Sequence, residues 1–139
     1  MRHGSDKPDK EVVDRLKELT DLSDSDINTV AKAGRVVHLP AGWGVIWEKT
    51  PADAAYYILD GEVSIQRNHE EIATLGTGDF IGEVAIVNNQ LRSASVVAKT
   101  KVTLLNFSAD VARELASSIP AIGEAVRARA AQRLEADKG

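Results

Sequence analysis

The spacing of apolar residues divides the chain into a helical start, a long β-rich centre and a helical end. Over residues 10–20 the apolar side chains recur at three- and four-residue intervals, which predicts a first helix. Ser23 offers an N-cap for a second helix, and Gly34 is a suitable residue for its end. Residues 1–9 are polar and lack this periodicity, so they predict a disordered tail, and residues 1–5 resemble the remnant of an expression tag.

From Arg35 to Phe107 the apolar residues come in short β-rich runs that are bounded by turn residues. Evenly spaced short strands of this kind predict a sandwich or a barrel. The pair Asp60-Gly61 is the strongest hairpin signal in the chain, and residues 67–70 indicate another reversal. The predicted strands are Val36–Leu39, Gly44–Trp47, Ala55–Leu59, Glu62–Gln66, Glu71–Leu75, Ser95–Ala98 and Lys101–Phe107.

The helical period returns at Ser108, and Pro120 suits the first turn of a further helix. An apolar stripe on that last helix predicts packing in the core or at an interface, with a cover over a ligand as its second use. The chain is therefore expected to be mainly β with flanking α, an antiparallel β-roll (a jelly-roll-like double-stranded β-helix) between N-terminal helices and two C-terminal helices. Residues 10–139 are expected to form this one domain. The stripe consists of Ile119, Ile122, Val126, Ala130 and Leu134.

Composition narrows the class of protein. The 139 residues suit one domain, and 43% hydrophobic with 27% charged residues is typical of a soluble globular chain. The chain has no cysteine, which excludes disulfides and thiolate metal sites and fits the cytoplasm. A net charge of −4 argues against a nucleic-acid partner. The longest apolar run, Ala54–Leu59, is too short to cross a membrane.

The sequence offers no pattern typical of catalysis or of metal binding. The three histidines, His3, His38 and His69, show neither H-x-H nor H-E-x-x-H spacing. No G-x-S-x-G elbow accompanies the serine, histidine and aspartate residues. We therefore expect neither an enzyme nor a metal site. Trp43 and Trp47 are expected to pack on the β-roll rather than to stack on a bound base.

The candidate binding chemistry lies in residues 75–97. The G-E-V-A run that begins at Gly82 can form about one helical turn, whose N–H groups would bind an anion such as phosphate. Arg92 supplies a planar fork of donors for the same group, and the Ser93 hydroxyl lies beside it in sequence. Glu83 would repel a phosphate, so its carboxylate is expected to accept hydrogen bonds from ligand hydroxyls such as those of a ribose.

The run I-G-E-V-A-I-V-N-N-Q-L-R-S-A-S-V resembles the phosphate-binding cassette of the cyclic nucleotide-binding domain family. The resemblance covers residues 20–135 in order and spacing, including L-P-A-G-W-G-V-I, P-A-D-A-A-Y-Y-I-L-D-G-E-V-S-I and L-G-T-G-D-F-I-G-E. The sequence departs from the family pattern at Lys49-Thr50, where glycine plus an acid is common, at Ile81, where phenylalanine is usual, and in the linker at Asn88-Asn89.

The resemblance implies a role for each position of the cassette. Glu83 corresponds to the acidic residue that binds the ribose 2′-hydroxyl, and Arg92 to the arginine that pairs with the cyclic phosphate. Backbone N–H groups of the turn would meet ribose or phosphate, and the two residues after Arg92 would touch phosphate or base. The implied ligand-binding set is Gly82, Glu83, Val84, Ala85, Arg92, Ser93 and Ala94.

The resemblance therefore implies a regulatory domain that binds cyclic AMP, or less readily cyclic GMP, and needs no other cofactor. Binding would move the C-terminal helices, and an effector protein that the sequence does not identify would respond to that movement. A homodimer through the C-terminal helix is a further possible assembly. Two alternatives remain open: a domain that kept the fold for protein interaction without a ligand, and a regulatory fragment of a larger effector or enzyme.

Overall fold

The computed structural model describes residues 9–82 and 91–128. Within these residues eight strands form two four-stranded antiparallel sheets, flanked by two helices on each side in sequence. This arrangement confirms the predicted β-roll with N-terminal and C-terminal helices. The strands are β1 (Arg35–Leu39), β2 (Gly44–Ile46), β3 (Ala54–Asp60), β4 (Glu62–Arg67), β5 (Glu70–Gly76), β6 (Phe80–Ile81), β7 (Ser95–Ala98) and β8 (Val102–Ser108).

Three of the four described helices begin where a polar side chain satisfies free N–H groups. Asp9, Ser23 and Ser108 cap α1 (Lys10–Leu19), α2 (Asp24–Ala33) and α3 (Ala109–Ser118) respectively. Asp9 was assigned to the tail by the sequence, yet its carboxylate accepts from the N–H groups of the first turn of α1. Residues 120–128 form α4, which starts at the proline as predicted.

The two sheets face each other, and each described strand belongs to one of them. Sheet A has the order β1-β8-β3-β6 and sheet B the order β2-β7-β4-β5. Successive residues of a strand point to opposite faces, so sheet A contributes to two separate cores. The inter-sheet core, between the sheets, consists of Ile46, Ile58, Val63, Ile65, Ile81, Val96, Ala98, Val102 and Leu104.

The second core lies on the outer face of sheet A, where the helices pack. We call it the helical core, and residues from α1, α2, α3, α4, β3 and β8 build it. Three described members of the predicted apolar stripe are buried in it, whereas Ala130 and Leu134 lie outside the described residues. The helical core consists of Val12, Leu16, Ile27, Val30, Ala31, Tyr57, Leu59, Leu105, Phe107, Leu115, Ile119, Ile122 and Val126.

The hairpin predicted at Asp60-Gly61 is wrong, although the chain does reverse there. Gly61 has φ +103°, but β3 pairs with β6 and β8, whereas β4 pairs with β5 and β7. The turn therefore carries the chain from one sheet to the other. The tight hairpin is the reversal at residues 67–70, where Asn68 (φ 55°) and His69 (φ 67°) both adopt the left-handed conformation of a type I′ turn.

The expectation that the tryptophans pack on the β-roll is also wrong. Trp43 and Trp47 are 59% and 61% exposed. They flank the three-residue edge strand β2, in which Ile46 supplies the buried side chain. The Trp47 ring instead lies over Gly44, where a Cβ atom would stand 2.4 Å from the ring. The short strand leaves too little inner face for two indoles.

Two smaller differences concern Gly34 and β6. Gly34 ends α2 with φ −97°, so the need for a left-handed cap does not explain why this residue is glycine. The position instead lacks room for a side chain, because a Cβ atom would lie 2.5 Å from Leu105 Cγ. Strand β6 has only two residues and pairs with Tyr56 and Tyr57 of β3, which is too short for a period-two pattern to indicate.

Candidate functional site

A buried arginine marks one end of the inter-sheet core. Arg92 is 5% exposed, and its Nη1 donates to the Gly82 carbonyl at 2.6 Å. Its Nη2 donates to the carbonyl of Ala54, at the start of β3. A guanidinium loses much hydration on burial and is rarely buried without polar partners, so these two carbonyls stabilise the charge where it stands.

Gly82 is required by the same contact. Its φ is +85°, a left-handed conformation that L side chains rarely adopt. A Cβ atom at this position would lie 2.7 Å from Arg92 Nη1, 3.0 Å from Ile46 and 3.1 Å from the Ala54 carbonyl. Glycine therefore both turns the chain and lets the guanidinium approach the backbone.

The backbone of Arg92 is fixed by a separate segment. Lys49 N donates to the Arg92 carbonyl at 2.8 Å, and Arg92 N donates to the Thr50 carbonyl at 2.9 Å. Lys49 has φ 68°, so this turn is itself in the left-handed region. Main chain from residues 49–50 thus fixes the backbone of Arg92, and the carbonyls of residues 54 and 82 fix its side chain.

Asp53 is the charged neighbour of this arginine. Its Oδ1 lies 3.9 Å from Arg92 Nη2, and the Asp53 side chain is 92% exposed. An ion pair of this length with an exposed carboxylate is weak. Burial raises the pKa of the nearby Tyr56 hydroxyl, the charge of Asp53 raises it further, and the charge of Arg92 opposes both. Tyr56 therefore senses both charged groups.

One apolar residue on the inner face of sheet B is open to solvent. Ala73 of β5 is directly opposite Ile65 of β4, on the inner face of sheet B. Ile65 is buried in the inter-sheet core, yet Ala73 is exposed. Ile65 also pairs with Val96 of β7, four residues beyond Arg92 in sequence. Strand β5 thus marks the edge at which the inner face of sheet B is uncovered.

Four of the seven predicted ligand-contacting residues are described, and Gly82 and Arg92 are in direct contact. Ser93 is exposed, and its carbonyl accepts from Arg67 Nε at 3.1 Å. Ala94 is half-buried and packs against the inter-sheet core. The other three, Glu83, Val84 and Ala85, lie outside the described residues.

Asp53 and Ala54 are functional neighbours of Arg92 that were not predicted. Both lie in the P-A-D-A-A block that carried the family resemblance, so the pattern was visible. A backbone carbonyl as an arginine partner leaves no trace in the residue type, because any residue supplies one. The Asp53 contact joins residues far apart in the chain, and only the folded structure brings them together.

The arrangement can bind an anion that also carries an apolar group. A guanidinium binds phosphate through two parallel N–H···O bonds, and a low-dielectric position strengthens such bonds. Among residues 9–82 and 91–128, no group of histidine, aspartate and glutamate side chains could hold a metal ion. No helix in the same described part of the chain is long and apolar enough to cross a membrane.

Comparison with solved structures agrees with the fold. The structure titled "Sp-2Cl-cAMPS bound to PKAR CBD2" has a TM-score of 0.72 at 20% identity, covering 91% of this chain and 84% of that one. A regulatory domain of Toxoplasma gondii PKA with cAMP has a TM-score of 0.68 at 24% identity, covering 77% and 45%. The regulatory subunit of a cAMP-independent protein kinase A from Trypanosoma brucei matches with a TM-score of 0.63 at 24% identity, covering 71% and 37%. The fold alone therefore does not fix the ligand.

Sequence comparison identifies the family. A cyclic nucleotide-gated potassium channel of Rhizobium etli is 34% identical over 104 residues, which are 75% of this chain and 29% of the channel. A cAMP-dependent protein kinase regulatory subunit of Yarrowia lipolytica is 36% identical over 94 residues, 66% of this chain and 25% of that protein. The chain thus spans less than a third of these curated relatives. Residues 36–118 match the family model of the cyclic nucleotide-binding domain, and the chain belongs to this family.

Proposed function

We propose that this chain is a regulatory domain that binds a cyclic nucleotide at Arg92 and performs no chemistry itself. The observation that carries the proposal is the buried guanidinium, held by the carbonyls of Gly82 and Ala54. Its planar fork of donors matches the geometry of a phosphate, and a low-dielectric position strengthens such bonds. Family membership and the match at residues 36–118 support the same conclusion.

The cyclic phosphate is the part of the ligand that Arg92 would bind. The phosphate would replace Asp53, whose exposed carboxylate lies 3.9 Å from Nη2 and gains little from the contact. The two backbone carbonyls can remain in place during this exchange, because the guanidinium has five N–H donors. Glu83 would bind the ribose 2′-hydroxyl, and the N–H groups of residues 82–85 together with Ser93 and Ala94 would complete the site.

Cyclic AMP is the preferred ligand in this proposal, ahead of cyclic GMP. The base would lie against the exposed Ala73 on the inner face of sheet B, which offers apolar contact. Guanine carries a 6-carbonyl, an N1–H and a 2-amino group where adenine has only a 6-amino group, and burying the extra polar groups without partners costs free energy. The relatives include cAMP-dependent kinase regulatory subunits, alongside a cGMP-dependent kinase of Plasmodium berghei.

The output would pass from the arginine to the helices through the start of β3. The Ala54 carbonyl accepts from Arg92, and Ala54 is directly opposite Ser108, the N-cap of α3. Ala109 N, in the first turn of α3, donates to the Asp53 carbonyl at 3.0 Å. A phosphate that moves Arg92 therefore acts on residues bonded to α3. A cytoplasmic effector, or a second copy of the chain on the C-terminal helix, would respond to the new position.

Titration calorimetry with cyclic AMP, cyclic GMP and 5′-AMP tests the ligand. We expect the tightest binding for cyclic AMP, weaker binding for cyclic GMP and the weakest for 5′-AMP. Glu83→Ala should weaken cyclic AMP binding by about 1.5–3 kcal/mol, the range for a hydrogen bond to a charged group. Glu114→Ala, which removes an exposed carboxylate from α3, is the matched control and should bind like the parent. No binding of any cyclic nucleotide would instead favour the ligand-free interaction domain.

A further inference from the structure

A cavity of about 390 Å³ lies in the helical layer, away from Arg92. Its described walls come from α1, α2, the outer face of sheet A and α4, and they do not include Asp53, Ala54 or Gly82. Tyr56 and Tyr57 are adjacent on β3, so they face opposite sides of sheet A. The charge of Arg92 acts on the pKa of Tyr56, whereas Tyr57 lines this cavity. The cavity and the arginine site are therefore separate compartments.

The Tyr57 hydroxyl is the unusual group in the cavity wall. Tyr57 is only 4% exposed, and its hydroxyl makes no hydrogen bond to any residue that the structure describes. The hydroxyl lies 3.9 Å from the position that a Cβ atom of Gly78, another wall residue, would occupy. Because Tyr57 lines the cavity, an occupant can donate to its hydroxyl or accept from it.

The remaining walls select for an apolar and uncharged molecule. The rings of Tyr57 and Phe80 form an aromatic wall, with centroids 4.8 Å apart and planes inclined at 57°. Aliphatic side chains of Leu16, Leu22 and Val126 form much of the rest. The Thr20 hydroxyl is already used, because it donates to the Leu16 carbonyl at 2.8 Å.

The charges around the cavity argue against an anionic occupant. Asp21 is part of the wall, and the pKa of the Tyr57 hydroxyl is raised by burial and then by the charge of Asp79, against the opposing charge of Arg15. Arg15 is engaged elsewhere, since its Nε donates to the Leu59 carbonyl at 2.8 Å and it pairs with Glu18 and Asp60. The described wall therefore carries the carboxylate of Asp21 and no cation.

We propose that this cavity is a binding site for a small uncharged amphiphile, an aromatic or aliphatic alcohol whose hydroxyl bonds to Tyr57. The volume suits this class, since an apolar cavity of about 150 Å³ binds benzene and ligand pockets start at about 300 Å³. Because α1 and α4 both line the cavity, an occupant would hold α4 against the N-terminal helices. The proposal is independent of cyclic nucleotide binding.

Titration of the full chain with 1-naphthol, followed by methyl NMR, tests this site. We expect saturable shifts at the wall residues Leu16, Leu22 and Val126. Tyr57→Phe keeps the ring and removes the hydroxyl, so it should weaken 1-naphthol binding about fivefold, the effect of one ordinary hydrogen bond. The same variant should leave binding of naphthalene, which has no hydroxyl, unchanged. Tyr56→Phe is the matched control and should change neither.

A second pair of variants tests the location without relying on Tyr57. Ala125→Leu adds bulk to the wall and should weaken both naphthalene and 1-naphthol. Glu124→Leu places the same leucine side chain one residue earlier, at an exposed position outside the wall, and should weaken neither. Sodium 1-naphthoate should bind more weakly than 1-naphthol, because the described wall contains the carboxylate of Asp21 and no cation.

Several results would overturn the proposal. One is the absence of saturable shifts with either probe, and another is equal loss of naphthalene and 1-naphthol binding in Tyr57→Phe. Displacement of 1-naphthol by cyclic AMP, with shifts at Ile65 or Val96 instead of the wall residues, would place the probe in the nucleotide site. Binding that falls as protein concentration rises, together with dimers in sedimentation, would show that a second copy occupies the cavity.

Discussion

The inter-sheet core and the helical core share two strands but differ in how they are enclosed. The inter-sheet core is aliphatic, and hydrogen-bonded sheets cover it on both faces. The helical core is closed on one face by helices and contains aromatic rings and a cavity. Ladders of backbone hydrogen bonds resist sliding, whereas packed helices can shift by small steps. The site that needs fixed geometry thus lies in the first core, and the elements suited to movement surround the second.

Strand β8 shows how closely the two cores approach each other. Leu104 and Leu105 are adjacent and both 0% exposed, yet Leu104 belongs to the inter-sheet core and Leu105 to the helical core. In most domains one face of a sheet carries the core and the other contacts water. Here a single strand supports both compartments, so their roles can be separated by substitutions one residue apart.

The largest expected effect is the loss of nucleotide binding in Arg92→Ala. Removing the cation from a phosphate in a desolvated site should cost about 3–5 kcal/mol, a factor of roughly one hundred to several thousand in the dissociation constant. Calorimetry with cyclic AMP measures the change. Arg113→Ala, which removes an exposed guanidinium from α3, is the matched control and should bind normally.

Arg92→Lys separates binding from folding. The variant retains a cation for the carbonyls of Gly82 and Ala54 but lacks the planar fork, so it should fold and bind weakly. A urea titration of each variant establishes that the folded protein was assayed. Parent-like affinity in a folded Arg92→Ala would show that the phosphate binds elsewhere.

The next effect compares Leu104→Ala with Leu105→Ala. Each deletes a fully buried side chain, so each should lower the free energy of unfolding by about 2–5 kcal/mol. Only Leu104→Ala should also weaken cyclic AMP binding, because only Leu104 lies in the core next to Arg92. Only Leu105→Ala should speed hydrogen exchange in α4. If the alanine variants unfold, Leu104→Val and Leu105→Val give a milder comparison. Equal effects of the two variants on cyclic AMP affinity and on hydrogen exchange in α4 would refute separate roles for the two cores.

A smaller effect is expected at the start of α3. Ser108 Oγ accepts from Val111 N at 3.3 Å, and loss of an N-cap usually costs about 0.5–2 kcal/mol. Ser108→Ala should therefore lower stability by this amount in a thermal or urea melt. Ser117→Ala, within the same helix, should be neutral or slightly stabilising. A large change in cyclic AMP affinity from Ser108→Ala alone would indicate that the N-cap couples the two compartments directly.

The smallest effect concerns alkaline pH. The pKa values of Tyr56 and Tyr57 are raised above 10.0, in both cases mainly by burial. Above this pH the unfolded chain releases these protons before the folded chain does, so the free energy of unfolding falls until the folded pKa is passed. The slope per tyrosine is at most about 1.4 kcal/mol per pH unit. Urea titrations from about pH 9 to about pH 11 should show a shallower fall in Tyr56→Phe and in Tyr57→Phe than in the parent.

The sequence predicted the elements well because each is a local pattern. Strand Ser95–Ala98 has the predicted bounds, and α2 begins after Ser23 as expected. The pairing of strands is not local, and this is where the hairpin at Asp60-Gly61 failed. A glycine with positive φ reverses the chain equally well within one sheet and between two sheets. Asn68-His69 is a weaker sequence signal for a hairpin than Asp60-Gly61. Its flanking residues Arg67 and Glu70 nevertheless pair with each other, so the hairpin forms there.

The candidate site was predictable in its residue types and not in its contacts. Gly82 and Arg92 were named from the sequence, and the structure brings them to 2.6 Å. The carbonyl of Ala54 and the carboxylate of Asp53 come from the start of β3, which is far from Arg92 in sequence. For the tryptophans the prediction itself was wrong. Tryptophan is usually buried, but an edge strand of three residues offers too little inner face to bury two of them.

The exposed indoles also give the protein an intrinsic optical reporter on one of its two compartments. The two tryptophans of the chain both lie beside sheet B: the Trp43 carbonyl accepts from Ala98 N in β7, and the Trp47 carbonyl accepts from Thr50, whose own carbonyl bonds Arg92 N. The helical core contains no tryptophan. Fluorescence emission therefore responds to events at the arginine and is insensitive to the helices. Loosening of α4 would be visible in circular dichroism while the emission spectrum stays constant.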